Sequence, residues 1–482
     1  MTSSTPGEQL AVPRFAQAYR SCPMCDADGV EYEFVIDGTA FSRCPACTLL
    51  FANPPPAPSA PLPFAHNAAA YPLLRAFAER ALGRKAERVL VIDTPAAPAD
   101  PAATHRSFDA LGSERYDLIV AFGLLDVARD PVNVAATLRE HLVPDGMLLA
   151  AVPSASSLDA LRQRENWPAL RQRSAWYFDV DTLQLALTRA GFGDFTPLVD
   201  AADASADPAP AARAFFGSHA AIVARASQSY RAKTLSVIVP VFNEASTVAE
   251  LLDRVLAKRL DGIDIEIVIV ESNSTDGSRE IVQRYAADQR VRLILEERPR
   301  GKGYAVRTGI AAARGEVVLF QDADLEYDVN DYDQLVAPLF GLRRNFILGS
   351  RHGAAGDGWK IRQFERRKLI ATAMNLAHLG LLTMFNRLYR QSLFDPFTMY
   401  KVFRRDCLTG LCFECNRFDF DFEINIKLIR KGYRPQELLV NYRSRSFNEG
   451  KKVSFFRDPP TWIRAMLRLR RSPLYEAFET SS

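Results

Sequence analysis

Three patterns of apolar and polar positions follow one another along the chain. Between residues 30 and 43, VEYEFVIDGTAFSR alternates on either side of Asp37-Gly38, which predicts two short strands joined by a tight turn. From Arg88 the apolar residues come instead in short continuous runs set between amphipathic stretches. These are RVLVID (88–93), YDLIVAFGLLDVARDP (116–131), LVPDGMLLAAVPS (142–154) and YFDVDTLQLALTRAGF (177–192). Runs of that kind predict strands buried on both faces, with helices covering the sheet. An Ala/Pro-rich stretch, DAADASADPAPAARAF, then precedes a last strand, GSHAAIVARA, and a hinge is expected over 227–233.

The third pattern is the most regular. Leu235 to Glu244 is a β-branched run stopped by a turn, and the capping box Thr247-Val-Ala-Glu250 predicts an amphipathic helix ending near Leu260. Ile265 to Val270 reads as a second strand, ESNSTDGSREIVQRYA as its turn and helix, and VRLILEE as a third strand. The βαβαβ order predicts a parallel sheet, and ligands of such sheets gather at the carboxyl ends of the strands. The fold class is therefore α/β and multidomain, with a small ribbon over 18–55, an α/β unit over 70–226, a linker at 227–233, a second α/β unit over 234–452 and a basic amphipathic tail over 453–482.

Composition adds little to this and excludes some classes. A chain of 482 residues with 60 Lys and Arg against 57 Asp and Glu carries a net charge of only +3, which gives no reason to expect a nucleic-acid partner. No run of about 18 uninterrupted apolar residues is present to span a bilayer. The opening MTSSTPGEQLAVPRF lacks the basic and apolar segments of an export signal, so a cytoplasmic location is expected, peripheral at the inner face of the membrane if the helices below meet lipid. Nothing in these numbers decides against a homo-oligomer.

Four of the seven cysteines form two C-x2-C knuckles, Cys22/Cys25 and Cys44/Cys47, with Pro23 and Pro45 in equivalent places. Four thiolates suit tetrahedral Zn²⁺ and leave no position for water or substrate, so the expected role is structural. Cys407, Cys412 and Cys415 lack a second pair and read as core residues.

The apolar runs between Arg88 and Ala226 resemble class I methyltransferases that use S-adenosylmethionine, including a subgroup with a zinc ribbon in front. Such relatives place a glycine-rich turn after the first strand. Here that turn is Thr94-Pro95-Ala96-Ala97-Pro98, whose prolines remove backbone donors, and the span from Asp93 to Asp117 is too short for the usual helix, second strand and third strand. A scaffold without S-adenosylmethionine is expected, with an active methyltransferase or a bifunctional enzyme as the rival of another class.

In the third segment, GEVVLFQDADLEYD delivers Asp322 and Asp324 from one strand to the ligand edge, and paired hard oxygens suit Mg²⁺ or Mn²⁺. A divalent ion there would neutralise charge on a departing nucleoside diphosphate. Together with VIVPVFNE, ESNSTDGS, RPRGKGYAVRTGI, GSRH, FDFDFEINIKLIRKGYR and YRSRSFNEGKKV, this stretch from Leu235 to Lys452 resembles inverting family 2 glycosyltransferases of GT-A fold, above all polyprenyl-phosphate mannose and glucose synthases.

That resemblance implies a nucleotide sugar of GDP-mannose or UDP-glucose type as donor and a polyprenyl phosphate as acceptor, with a glycan or soluble hydroxyl as the alternative acceptor. It places Pro240, Glu244, Glu271, Asp276, Arg300, Lys302, Gly303, Asp322, Ala323, Asp324 and Arg351 around the donor, and Asp322, Asp324 and Asp421 on the metal. Asp421 and Asp324 are the implied catalytic residues, with Asp421 either a base or, facing an acceptor that is already an anion, a metal ligand. Asp395, Glu423, Arg443, Arg445 and Lys451 fall on the acceptor side, where guanidinium groups suit phosphate oxygens. Glu271 and Ser272 depart from the family's usual residues, which leaves the base open between uracil and guanine.

Two segments could face a membrane surface. Leu369 to Leu388 is apolar but interrupted by Asn375, His378 and Asn386, and further on Trp462, Met466 and Leu469 run beside a basic stripe of Arg464, Arg468 and Arg471. The alternative is that both cover the sheet. His352 and His378 read as structural.

Overall fold

The computed structural model describes residues 18–56, 67–92, 100, 102–171, 174–226, 233–351, 368–443 and 458–476. The 30–43 segment forms the expected hairpin of β1 (Glu31–Ile36) and β2 (Thr39–Arg43), turned by Asp37 and Gly38 with φ of 47° and 81°, and β3 (Leu50–Ala52) adds to it antiparallel.

The second segment builds β4 (Val89–Ile92), β5 (Ala103–Arg106), β6 (Tyr116–Phe122), β7 (Leu142–Pro153), β8 (Trp176–Tyr177), β9 (Phe192–Leu198) and β10 (His219–Ala226). Six of these make one sheet in the order β5-β4-β6-β7-β10-β9, whereas β8 leaves it to pair with β3 and so joins the ribbon to the middle unit. The expectation that no second strand fits after Asp93 is corrected here, because β5 runs parallel to β4 over its whole length. Its end carries Arg106, ion-paired with Glu114 at 2.8 Å, and among the described residues β5 is the edge of the sheet. The proline-bearing turn at 94–98 lies outside the described residues.

The third segment gives β11 (Thr234–Val241), β12 (Asp264–Glu271), β13 (Val291–Leu295), β14 (Val317–Phe320), β15 (Phe346–Ser350), β16 (Lys401–Arg404) and β17 (Gln436–Leu439) in the order β13-β12-β11-β14-β16-β15-β17. The βαβαβ half is parallel as the pattern requires, and β16 enters antiparallel to both its neighbours. The helix after β11 spans Val248–Ala257 and starts at Thr247, but without the capping box: the Thr247 hydroxyl turns back to Glu244.

The two α/β units share one continuous core, in which Val180 and Leu198 pack in the same cluster as Ile424, Tyr433 and Leu474. Polar ties seal the seam. Asn345 Nδ2 donates to Asp181 at 3.1 Å, the Arg434 amide to the same carboxylate at 2.7 Å, and Arg430 pairs with Asp203 at 2.7 Å. The buried Lys431 ammonium donates to the carbonyls of Phe195, Cys407 and Thr409. Gly432 is needed where the units touch, since its φ is +102° and a Cβ there would stand 2.6 Å from Val180 Cγ2. Gly432→Ala is therefore expected to destabilise the chain by roughly 1–3 kcal/mol, read as a lowered denaturation midpoint, through left-handed strain plus the clash.

Candidate functional site

The knuckle cysteines converge. Cys22 Sγ lies 3.7 Å from Cys47 Sγ, Cys25 Sγ lies 3.6 Å from Cys44 Sγ, and all four thiols are buried within 4.8 Å of one another. A tetrahedron with metal–sulfur bonds of about 2.3 Å has edges of roughly 3.8 Å, so the donor set fits zinc in size as well as chemistry. The amides of Met24 and Cys47 point at Cys22 and Cys44 sulfur at 3.4 Å, as suits thiolate acceptors. Cys407 and Cys415 are buried core residues, as expected, and Cys412 is partly exposed.

In the third sheet, β11, β12 and β14 end side by side, and the loops that follow them form one edge. These loops hold each other through side chains. Asn243 Oδ1 accepts the Thr275 amide, Ser278 Oγ accepts the Glu244 amide, and Asp276 accepts from the Ala245 and Ser278 amides at 3.0 Å. Burial pushes the Asp276 carboxyl up, but Ser278 and these amides outweigh it and leave it below its ordinary value. Asp276 thus stitches two loops and does not line the cavity described next, contrary to its expected place beside the base. Glu271 departs in the same way: its carboxylate is fully buried, accepts the Ser274 amide at 2.6 Å and pairs with Arg279. The cavity wall at this point is Ser272.

A cavity of 470 Å³ opens at that edge, with Glu244, Lys302, Asp322, Asp324, Arg351 and Asp421 in its polar wall. Pro240 and Ala323 line it too. Lys302 Nζ stands 2.6 Å from Asp322 Oδ1. Burial pushes the lysine down, but Asp322, Asp421 and Asp324 together outweigh it and hold it above its ordinary value. Asp421 is pushed up by burial against the pull of Lys302 and Lys401.

The expected three-carboxylate metal cage is not formed. Among the described residues only the four cysteines bring three or more ligand atoms within 4.8 Å of one another, and the charges of Asp322, Asp421 and Asp324 all act on the Lys302 ammonium. A pair of aspartates still fits Mg²⁺ or Mn²⁺, which are commonly held by one or two carboxylates plus substrate phosphates rather than by an all-protein cage.

Other expectations shift for local reasons. Gly303 turns its bare backbone to the protein, where a Cβ would stand 2.5 Å from Phe420 Cβ, and Arg300 folds over Tyr304 with its guanidinium 4.6 Å from the ring. Neither lines the cavity; Gly301 and Lys302 do. Glu423 is fully buried beneath the site, accepting the Glu414 and Cys415 amides at 2.8 Å and pairing with Lys427 at 3.1 Å, so it does not reach an acceptor. Asp395 does not line the cavity: it is fully buried and grips the Arg351 guanidinium with both oxygens at 2.8 Å. Asp395→Ala would leave that largely buried cation unpaired, and a loss of about 3 kcal/mol in denaturant-unfolding free energy is expected. Arg443 is exposed and does not line the cavity, its amide donating to the Glu326 carbonyl at 2.8 Å, while Arg445 and Lys451 lie outside the described residues, as does His352.

The apolar wall of the cavity comes from His378 and Leu381 on the helix Lys368–Tyr389, Phe422 on the helix Phe420–Arg430, Trp462 on the helix Asp458–Leu469, and Phe397 in the loop before β16. This corrects the lipid-facing stripe: Met466 and Leu469 are fully buried, Trp462 packs on Phe422 at 5.7 Å, and the stripe covers the protein. Leu376, Leu379, Ile463 and Leu467 remain exposed on the first and last of these helices. No described helix is long and apolar enough to cross a membrane. Lys401 was not anticipated. It is fully buried in β16, and burial brings it down to about 8 against the upward pull of Asp421. A lysine inside the apolar run MYKVF was the available signal.

Residues 236–409 match the family model Glycosyl transferase family 2, and residues 41–194 match a Methyltransferase domain model. A dolichol-phosphate mannosyltransferase of Pyrococcus furiosus is 25% identical over 219 residues, covering 45% of this chain and 58% of the relative. A dolichyl-phosphate beta-glucosyltransferase of Dictyostelium discoideum is 26% identical over 251 residues, 49% of this chain and 73% of the relative. A crystal structure of glucosyl-3-phosphoglycerate synthase from Mycobacterium tuberculosis with Mn²⁺, UDP-glucose and phosphoglyceric acid is 21% identical, covers 49% of this chain and 80% of that one, and has a TM-score of 0.37. The chain spans 35% to 58% of the length of several curated relatives that it matches.

Proposed function

We propose that this chain, which carries a family 2 glycosyltransferase domain of GT-A fold behind a methyltransferase-like domain, moves a hexose from a nucleotide diphosphate sugar to a polyprenyl phosphate with inversion. The observation that carries the reading is a cavity with two unlike walls, acidic and cationic at the sheet edge and apolar where three helices and the Phe397 loop face it. At the first wall Asp324 and Asp322 would hold Mg²⁺ or Mn²⁺, whose charge offsets that of the leaving diphosphate. Lys302 would lie against the same phosphates, and Glu244 beside the nucleoside. The second wall, with Leu381, Phe397, Phe422 and Trp462, suits the first units of an isoprenoid chain, and the names of the two dolichyl-phosphate relatives support an acceptor of that class.

A phosphate acceptor is already an anion and needs no base, so Asp421 would orient Lys302 and the metal. With a hydroxyl acceptor Asp421 would take the proton, a role favoured by its burial-raised pKa. Incubation with membrane lipid and radiolabelled nucleotide hexoses distinguishes these. Label in the organic extract is expected; label confined to water-soluble glycan rejects the lipid acceptor, and label in neither rejects the transferase.

A further inference from the structure

We infer that Glu296 reads the base of the donor nucleotide and that this base is guanine. The inference rests on the nucleotide-sugar reading above and adds what that reading leaves open.

Glu271, the carboxylate at the end of β12 that would be expected to meet the nucleoside, is used up inside the protein by Arg279 and the Ser274 amide. A second carboxylate stands at the neighbouring strand end. Glu296 follows β13 directly, its amide donates to the Glu271 carbonyl at 2.8 Å, and Arg279 donates to the Glu296 carbonyl, so the two strand ends are pinned together. The Glu296 side chain lies immediately behind the cavity wall. Its Oε2 accepts the Ser272 hydroxyl at 2.6 Å, and Ser272 lines the cavity, as does Pro299 three residues further on.

The other oxygen, Oε1, is buried without a hydrogen-bond partner, in a residue only 8% exposed. A buried carboxylate oxygen left unsatisfied is destabilising, and a ligand donor reaching past the Ser272 hydroxyl would relieve it. Asp322, Asp324 and Lys302 mark the phosphate end of the same cavity, so the Ser272 wall falls to the nucleoside.

Donor count then selects the base. A carboxylate offers two acceptors and no donor. Guanine presents two donors side by side, its N1–H and its 2-amino group, which can meet Oε1 and the lone pair of Oε2 that the Ser272 hydroxyl leaves free. Uracil presents one N–H between two carbonyl oxygens that a carboxylate repels, and adenine and cytosine each set one amino group beside an acceptor nitrogen.

The test is calorimetric titration of the full chain with GDP, IDP and UDP in the presence of Mn²⁺. IDP is GDP without the 2-amino group. GDP is expected to bind about 10- to 100-fold tighter than IDP or UDP, the size of one or more hydrogen bonds to a buried charge. Glu296→Gln, which keeps the shape, should erase most of that preference while leaving UDP affinity within about threefold. UDP binding as tightly as GDP overturns the inference with no variant needed, and so does an unchanged GDP-to-IDP ratio in folded Glu296→Gln protein. If none of the three binds, the donor reading itself falls, a result distinct from a wrong base.

Discussion

Asp324→Ala is expected to lower transfer about 10³-fold while the protein keeps its fold. Asp324 lies in the loop after β14, lines the cavity, and is partly exposed, so no core contact is lost. On the proposed reading, what is lost is one of the two carboxylates that would hold the cation offsetting the charge of the leaving diphosphate. Steady-state kinetics at saturating Mn²⁺, alongside a thermal melt, checks the prediction. A drop in melting temperature large enough to account for the lost turnover would assign Asp324 to the fold instead.

The second large effect is expected at the four clustered cysteines, which we propose hold a structural zinc. Structural zinc contributes on the order of 10 kcal/mol to small domains that depend on it. In this chain the ribbon is tied to both other units: β3 pairs with β8, and the Pro45 carbonyl in the second knuckle accepts from Arg344 at 3.4 Å. Cys44→Ser, or exhaustive chelation, is therefore expected to unfold the ribbon and lower the first melting transition of the whole chain. Elemental analysis should find one zinc per chain before treatment. A chelated protein, free of zinc, that melts like the untreated one would contradict the assignment.

The strands of the third sheet were legible because β-branched runs such as LSVIVPV and VVLF state their burial directly, and the acidic D-x-D falls where a strand must end. Which carboxylates face the cavity was not legible. Glu271 and Asp276 turn inward because loops some thirty residues apart bond to each other through Asn243, Ser274 and Ser278, and periodicity carries no trace of such bonds. The stripe Trp462, Met466 and Leu469 was read correctly as a helix face, but nothing local says whether that face meets lipid or protein. The short strand β5 escaped notice since ATHR has no apolar run, being held by its pairing with β4 rather than by burial. The fit of the four cysteines was legible outright, because their spacing alone fixes which atoms can converge.

The most direct test of the account is where manganese sits. Crystals of the full chain soaked with Mn²⁺ and GDP, and separately with Mn²⁺ and UDP, should give an anomalous peak at the manganese edge in contact with Asp324 and with the bound diphosphate, lost in Asp324→Ala. Manganese bound away from this cavity, or a diphosphate seated in it with no metal and full turnover in chelator, would contradict the account.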